Sequence, residues 1–193
     1  SSSPCGSSGG CPLSGRRPAA ASTCNFKEAF FMNISQIMEK MIAFSNGNLH
    51  DMNHLMCVWT YAKTIGELEG LDRKTQETLE IAAITHDIAC PLCREKYGNT
   101  NGKRQEEEGG PLVRSFLADA GLSAEQVDRV AYLVSHHHTY TDIDGIDYQI
   151  LVEADFLVNI CDDNLAKDAA LKAYNNIFKT ESGKKICREM FGL

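Results

Sequence analysis

This 193-residue sequence predicts an all-α, single-domain helical bundle, and three observations carry the prediction. From Met32 onward, apolar residues recur at helical spacing in one segment after another. No segment alternates apolar and polar with the period of two that a strand requires. The composition, 43% hydrophobic and 23% charged, is that of an ordinary globular chain long enough to bury a core without disulfide staples.

The stretch before the first helix is different in kind. Residues 1–31 begin with Ser, Gly, Pro, Ala and Cys and show no hydrophobic periodicity. Such a segment cannot offset its chain entropy by burial, so it is expected to be disordered, or adventitious to the domain spanning 32–193. Ile34, Ile37, Met38, Met41 and Ile42 mark the first helix. A second helix, from about His50 to Glu69, turns Leu55, Val58, Trp59, Ala62 and Ile65 inward, and Gly70 stops it. Asp72 can cap a third helix, whose apolar residues Leu79, Ala82, Ala83 and Ile84 lead into His86-Asp87. Residues 99–102 read as a loop. The next helix runs from about Arg104 to Gly121, and Pro111 is expected to kink or restart it. Ser123 and Gln126 form a capping box that opens the helix through Val127, Val130, Leu133 and Val134. Asp142 to Gly145 is a turn, Ile150 to Ile160 a strongly apolar helix, and two amphipathic helices finish the chain.

Charge and cysteine content narrow the function classes. With 26 acidic against 19 basic residues, the formal net charge is −7, which argues against broad nucleic-acid or anionic-membrane binding. No apolar run approaches a membrane span and no signal peptide is legible, so a soluble, cytoplasmic protein is expected. The eight cysteines are expected to be reduced, with Cys57 and Cys161 as buried thiols inside apolar helical patterns. Cys90-Pro91-Leu92-Cys93 is read as shaping the loop after His86-Asp87, with redox or metal sensing as the alternative.

The six histidines fall at three places: His50 and His54, His86, and His136-His137-His138. Each place lies on or at the end of an expected helix. Asp155 interrupts the most apolar late helix, where a charge is costly unless paired or bound to a cation. A set of imidazoles and carboxylates suits Mn, Fe, Co, Ni or Zn, whereas Mg prefers more oxygen ligands.

In their order and context these residues resemble the HD-domain superfamily of metal-dependent phosphohydrolases. The motifs are His50-Asp51-x-x-His54, then Ala82-Ala83-Ile84-Thr85-His86-Asp87-Ile88, then Glu153-Ala154-Asp155-Phe156-Leu157, over roughly residues 45–165. The resemblance implies that His54, His86, Asp87 and Asp155 bind one divalent metal ion. It also implies hydrolysis of a small phosphorylated substrate, a nucleotide foremost, with Asp87, His136 and His137 as catalytic residues. His136 and His137 match a pair that holds a second metal in some members or contacts phosphate in others. His50, one helical turn from His54, reads equally as a surface or capping residue. Two-metal members carry a further histidine where this chain has Gln105, a poor ligand, which favours one tightly bound metal. Arg94, Lys96, Lys103 and Arg104 are read either as contacts to substrate phosphate or as a solvated charge run. A diiron oxygenase of the same fold and a non-catalytic metal- or nucleotide-sensing module are the rival readings.

Overall fold

The computed structural model describes residues 31–162 and 167–193; the expectation made for the N-terminal stretch falls, up to residue 30, outside them. Among the described residues every regular element is a helix: α1 Ile34–Phe44, α2 Leu49–Leu68, α3 Arg73–Thr85, α4 Cys90–Tyr97, α5 Gly102–Phe116, α6 Ala124–Val134, α7 Ile146–Asp162, α8 Lys167–Asn176 and α9 Glu181–Phe191. None is long and apolar enough to cross a membrane.

Local chemistry explains most boundaries. Asn33 and Gln36 exchange side-chain-to-backbone hydrogen bonds at the start of α1, a reciprocal cap that satisfies two orphan donors. Asp72 opens α3 by accepting from the amides of Lys74 and Thr75. Ser123 accepts from the Gln126 amide, the Ser half of the expected box. Gly70 and Gly98 stand in the left-handed region just after α2 and α4.

The segment after His86-Asp87 departs from expectation. Cys90 to Tyr97 forms a short helix in place of the expected loop, with Pro91 in its first turn, where a missing N–H costs nothing. Pro111 does not restart α5, which continues as one helix from Gly102 to Phe116. Packing holds that helix together: a Cβ on Gly109 would lie 2.8 Å from Val134 Cγ1, so α5 and α6 touch at van der Waals distance.

Helices α2, α3 and α7 form the centre, α1 and α6 flank α3, α5 covers α6, and α8–α9 close the far end of α7. Leu55, Val58, Ala62, Leu79, Ala83, Ile84, Leu151, Ala154 and Leu157 are fully or almost fully buried between them. The expectation for Cys57 and Cys161 fails, because both are exposed. Their neighbours are apolar, but the side chains lie at angles that face away from the core; local hydrophobicity does not fix angular position.

Candidate metal centre

Three elements aim four polar side chains at one point. His54 comes from the middle of α2, His86 is the residue capping the C-terminus of α3, Asp87 follows it, and Asp155 comes from α7. His54 Nε2 lies 3.1 Å from Asp155 Oδ1, 3.2 Å from His86 Nε2 and 3.6 Å from Asp87 Oδ2. His86 Nε2 is 3.6 Å from Asp155 Oδ1 and 3.7 Å from Asp87 Oδ2. His54, His86 and Asp155 are buried, while Asp87 is partly open to a cavity.

The backbone fixes the rings. His86 Nδ1 sits 2.8 Å from the Ala83 carbonyl oxygen, which can only accept, so Nδ1 carries the hydrogen and Nε2 faces the carboxylates. His137 repeats the device: Nδ1 donates to the Val134 carbonyl at 2.8 Å. Its Nε2 is buried without a hydrogen bond, 3.5 Å from Asp87 Oδ1. His138 Nε2 is also buried without a partner, and a Cβ on Gly102 would strike its ring at 2.8 Å. A side chain at 102 would displace that imidazole.

Donors at about 2.1 Å from one ion lie roughly 3.0–3.4 Å apart, close to the spacing seen among the first four residues. His54, His86 and Asp87 can hold a metal ion, and a second group, Asp87, His137 and His138, shares the same carboxylate. The orphaned Nε2 of His137 and the donor chemistry both fit a cation here.

The electrostatics agree. Burial alone would raise the Asp155 carboxyl pKa, but hydrogen bonds with His54 and His86 and the charge on His86 hold it well below the carboxylate range. Asp87 follows the same pattern, with burial opposed by His86 and His137. Burial and the neighbouring His137 push His138 down to about 4, so its ring is neutral near pH 7.

A pH prediction follows from His86. Burial would lower its pKa, but the charges of Asp87 and Asp155 and the hydrogen bond with Asp155 raise it. Without metal, the proton on Nε2 persists to higher pH than usual and must leave before that nitrogen can bind an ion. Divalent-metal affinity is therefore expected to climb by up to about tenfold per pH unit until His86 has lost its proton. In the metal-free protein the sign reverses: the His86 contribution to stability is full below about pH 6.5 and lost as pH rises through the raised value. Calorimetric Mn²⁺ titrations between about pH 6 and pH 8 check this, and an affinity flat across that range would contradict it.

The remaining expected residues separate. His136 is not brought to the cluster: its ring stacks on Tyr132 at 4.2 Å, and Nδ1 bonds the Tyr132 carbonyl at 2.7 Å. Arg94 lines the cavity beside the cluster and pairs with Asp51. Lys96 bonds Glu108 at 2.6 Å, whereas Lys103 and Arg104 line a different cavity, Arg104 pairing with Glu107. His50 stands exposed at the cavity mouth. Gln105 is buried, accepts from the Cys90 thiol at 3.3 Å and donates to the Thr100 carbonyl at 2.8 Å.

Asp51, Cys90 and Asn159 also line the cavity and were not singled out as site residues. The overlooked signal is one helical turn: Asp51 lies three residues before His54, Cys90 three after Asp87, and Asn159 four after Asp155.

Comparison with known proteins agrees with this geometry. The family model for the HD domain matches residues 52–172. The fold is similar to the crystal structure of a predicted HD superfamily hydrolase from an uncultured Thermotogales bacterium, with a TM-score of 0.60 and 22% identity over 82% of this chain and 84% of that one. No curated protein matches the chain.

Proposed function

The chain belongs to the HD-domain family, and from that premise we propose a metal-dependent phosphohydrolase acting on a small phosphorylated molecule, a nucleotide foremost. The observation that carries the reading is the convergence of two ring nitrogens and two carboxylates within 3.1–3.7 Å at the floor of an open cavity. His54, His86, Asp87 and Asp155 would hold the ion. Bound there, a divalent metal supplies Lewis acidity, lowering the pKa of a water and polarising a phosphoryl oxygen.

The protein groups do the rest. Asp87 lines the cavity, and its Oδ1 lies 3.5 Å from His137 Nε2. Its depressed pKa makes it a weak base, so its role is to accept a hydrogen bond from the attacking water and orient it. His137 Nε2, buried behind the cavity wall beside Asp87 Oδ1, acts through that carboxylate by holding it in place. Arg94 pairs with the substrate phosphate. His136, turned onto Tyr132, is left out of this scheme.

The second metal-compatible group consists of Asp87, His137 and His138, and Gln105 stands nearby with its amide already engaged. A carboxamide is a poor ligand for these metals, so an ion there is held more weakly than the first. At limiting metal, elemental analysis is expected to give close to one ion per chain, with phosphate release from a nucleotide and phosphomonoester panel and no oxygen uptake. Two equally tight irons, with oxygen consumed in step with substrate, would replace the hydrolase by an oxygenase.

A further inference from the structure

The cavity above the cluster encloses about 260 Å³, a small volume for a ligand site. Its charge is lopsided. Asp51, Asp87 and Asp155 face it against a single guanidinium, Arg94, which is already paired with Asp51. Of the basic residues next in sequence, Lys96 is paired with Glu108 and Arg104 with Glu107, and Lys103 lines the neighbouring cavity rather than this one. Thr100, Gln105 and Asn159 complete the polar wall without a charge.

This lining limits how much negative charge can enter. One divalent ion offsets two of the three carboxylates, and Arg94 the third, so even a monoester dianion enters a site with no positive surplus and every added phosphoryl group raises the cost further. A phosphomonoester brings about two negative charges near neutral pH, and each further phosphoryl group adds about one more. Sites that accept such extra charge supply further Lys or Arg side chains, and among the described residues Arg94 alone faces the cavity. In a partly desolvated space, charge left uncompensated is costly.

We propose that this cavity selects a single terminal phosphoryl group: a phosphomonoester of a compact, uncharged alcohol, nucleoside monophosphates included, with di- and triphosphates excluded. Arg94 is the group that reads the phosphoryl oxygens, and Asp51 is a positioning residue that holds Arg94 at the mouth. The inference rests on the phosphohydrolase reading above. In the reaction the water oxygen forms a bond to phosphorus and the bond from phosphorus to the ester oxygen breaks. The departing oxygen takes up a proton, so that water and the monoester dianion give the free alcohol and hydrogen phosphate.

The test uses the full chain with free Mn²⁺ held constant, at about pH 8, above the ordinary range of histidine side chains. Orthophosphate and tripolyphosphate are titrated calorimetrically, and phosphate release is measured from one nucleoside as its mono-, di- and triphosphate. Orthophosphate is expected to bind about tenfold or more tighter than tripolyphosphate, and the monophosphate to show about a hundredfold or more higher kcat/KM. Arg94→Ala is expected to raise KM for the monophosphate about tenfold, and Asp51→Asn to raise KM while leaving kcat within about twofold. Tripolyphosphate binding more tightly, or a triphosphate hydrolysed with comparable kcat/KM, overturns the selectivity while leaving the hydrolase intact. Preference for orthophosphate with no release from any of the three upholds the selectivity and overturns the hydrolase reading.

Discussion

Replacing Asp87 with alanine is expected to cut kcat/KM for phosphate release by about a thousandfold or more, some 4 kcal/mol of transition-state stabilisation. The size follows from position. Asp87 is the carboxylate common to both metal-compatible groups, with one oxygen 3.6–3.7 Å from the His54 and His86 Nε2 atoms and the other 3.5 Å from His137 Nε2. Alanine removes the carboxylate that both metal-compatible groups share, and with it the partner of His137, in one step. His137→Ala touches only the second role and is expected to lower kcat by about ten- to a hundredfold with the first metal still bound. A folded Asp87→Ala protein retaining more than about a tenth of the activity would show that the chemistry runs elsewhere.

The sequence made much of this centre legible, and the reason is geometric. His54, His86 and Asp155 are polar residues inside apolar helical stretches, and a buried polar group in such a stretch needs a partner. That anomaly is visible without coordinates. The wall of the cavity is not an anomaly: Asp51 and Asn159 are ordinary polar residues of helices α2 and α7. Only their one-turn offset from a ligand gives them a site role. Choosing between His136 and His137 is harder still. They follow the end of α6, where successive side chains diverge widely in direction, so one ring stacks on Tyr132 and the next reaches Asp87. The two readings of the basic residues stay open in the sequence for a similar reason, since nearness to His86-Asp87 says nothing of which way Lys96 or Arg104 points.

Glu153, two residues before Asp155 on the same helix, carries the largest stability prediction. Both carboxylates are buried on α7, but two residues is more than half a turn, so they face different neighbours. Asp155 meets imidazoles, whereas Glu153 meets hydrogen-bond donors. Its Oε1 accepts from Gln149 Nε2 at 2.8 Å and from the backbone amides of Lys179 and Thr180 at 2.6 and 2.9 Å. Its Oε2 accepts from the Thr180 hydroxyl. Thr180 is also the N-cap of α9, accepting from the Gly183 amide at 3.0 Å, so the carboxylate ties the start of α9 to α7. Glu153→Ala removes one acceptor and strands several donors, which is costlier than losing a single balanced pair. The expected loss is about 3–5 kcal/mol in urea unfolding, with Glu153→Gln intermediate because one amide oxygen still accepts. Since these contacts lie away from the histidines, Mn²⁺ affinity of the folded variant should stay within about threefold of the parent. A stability loss below about 1 kcal/mol would mean that water replaces the carboxylate at the α7–α9 junction. A collapse of metal affinity would instead mean that this junction supports the orientation of Asp155.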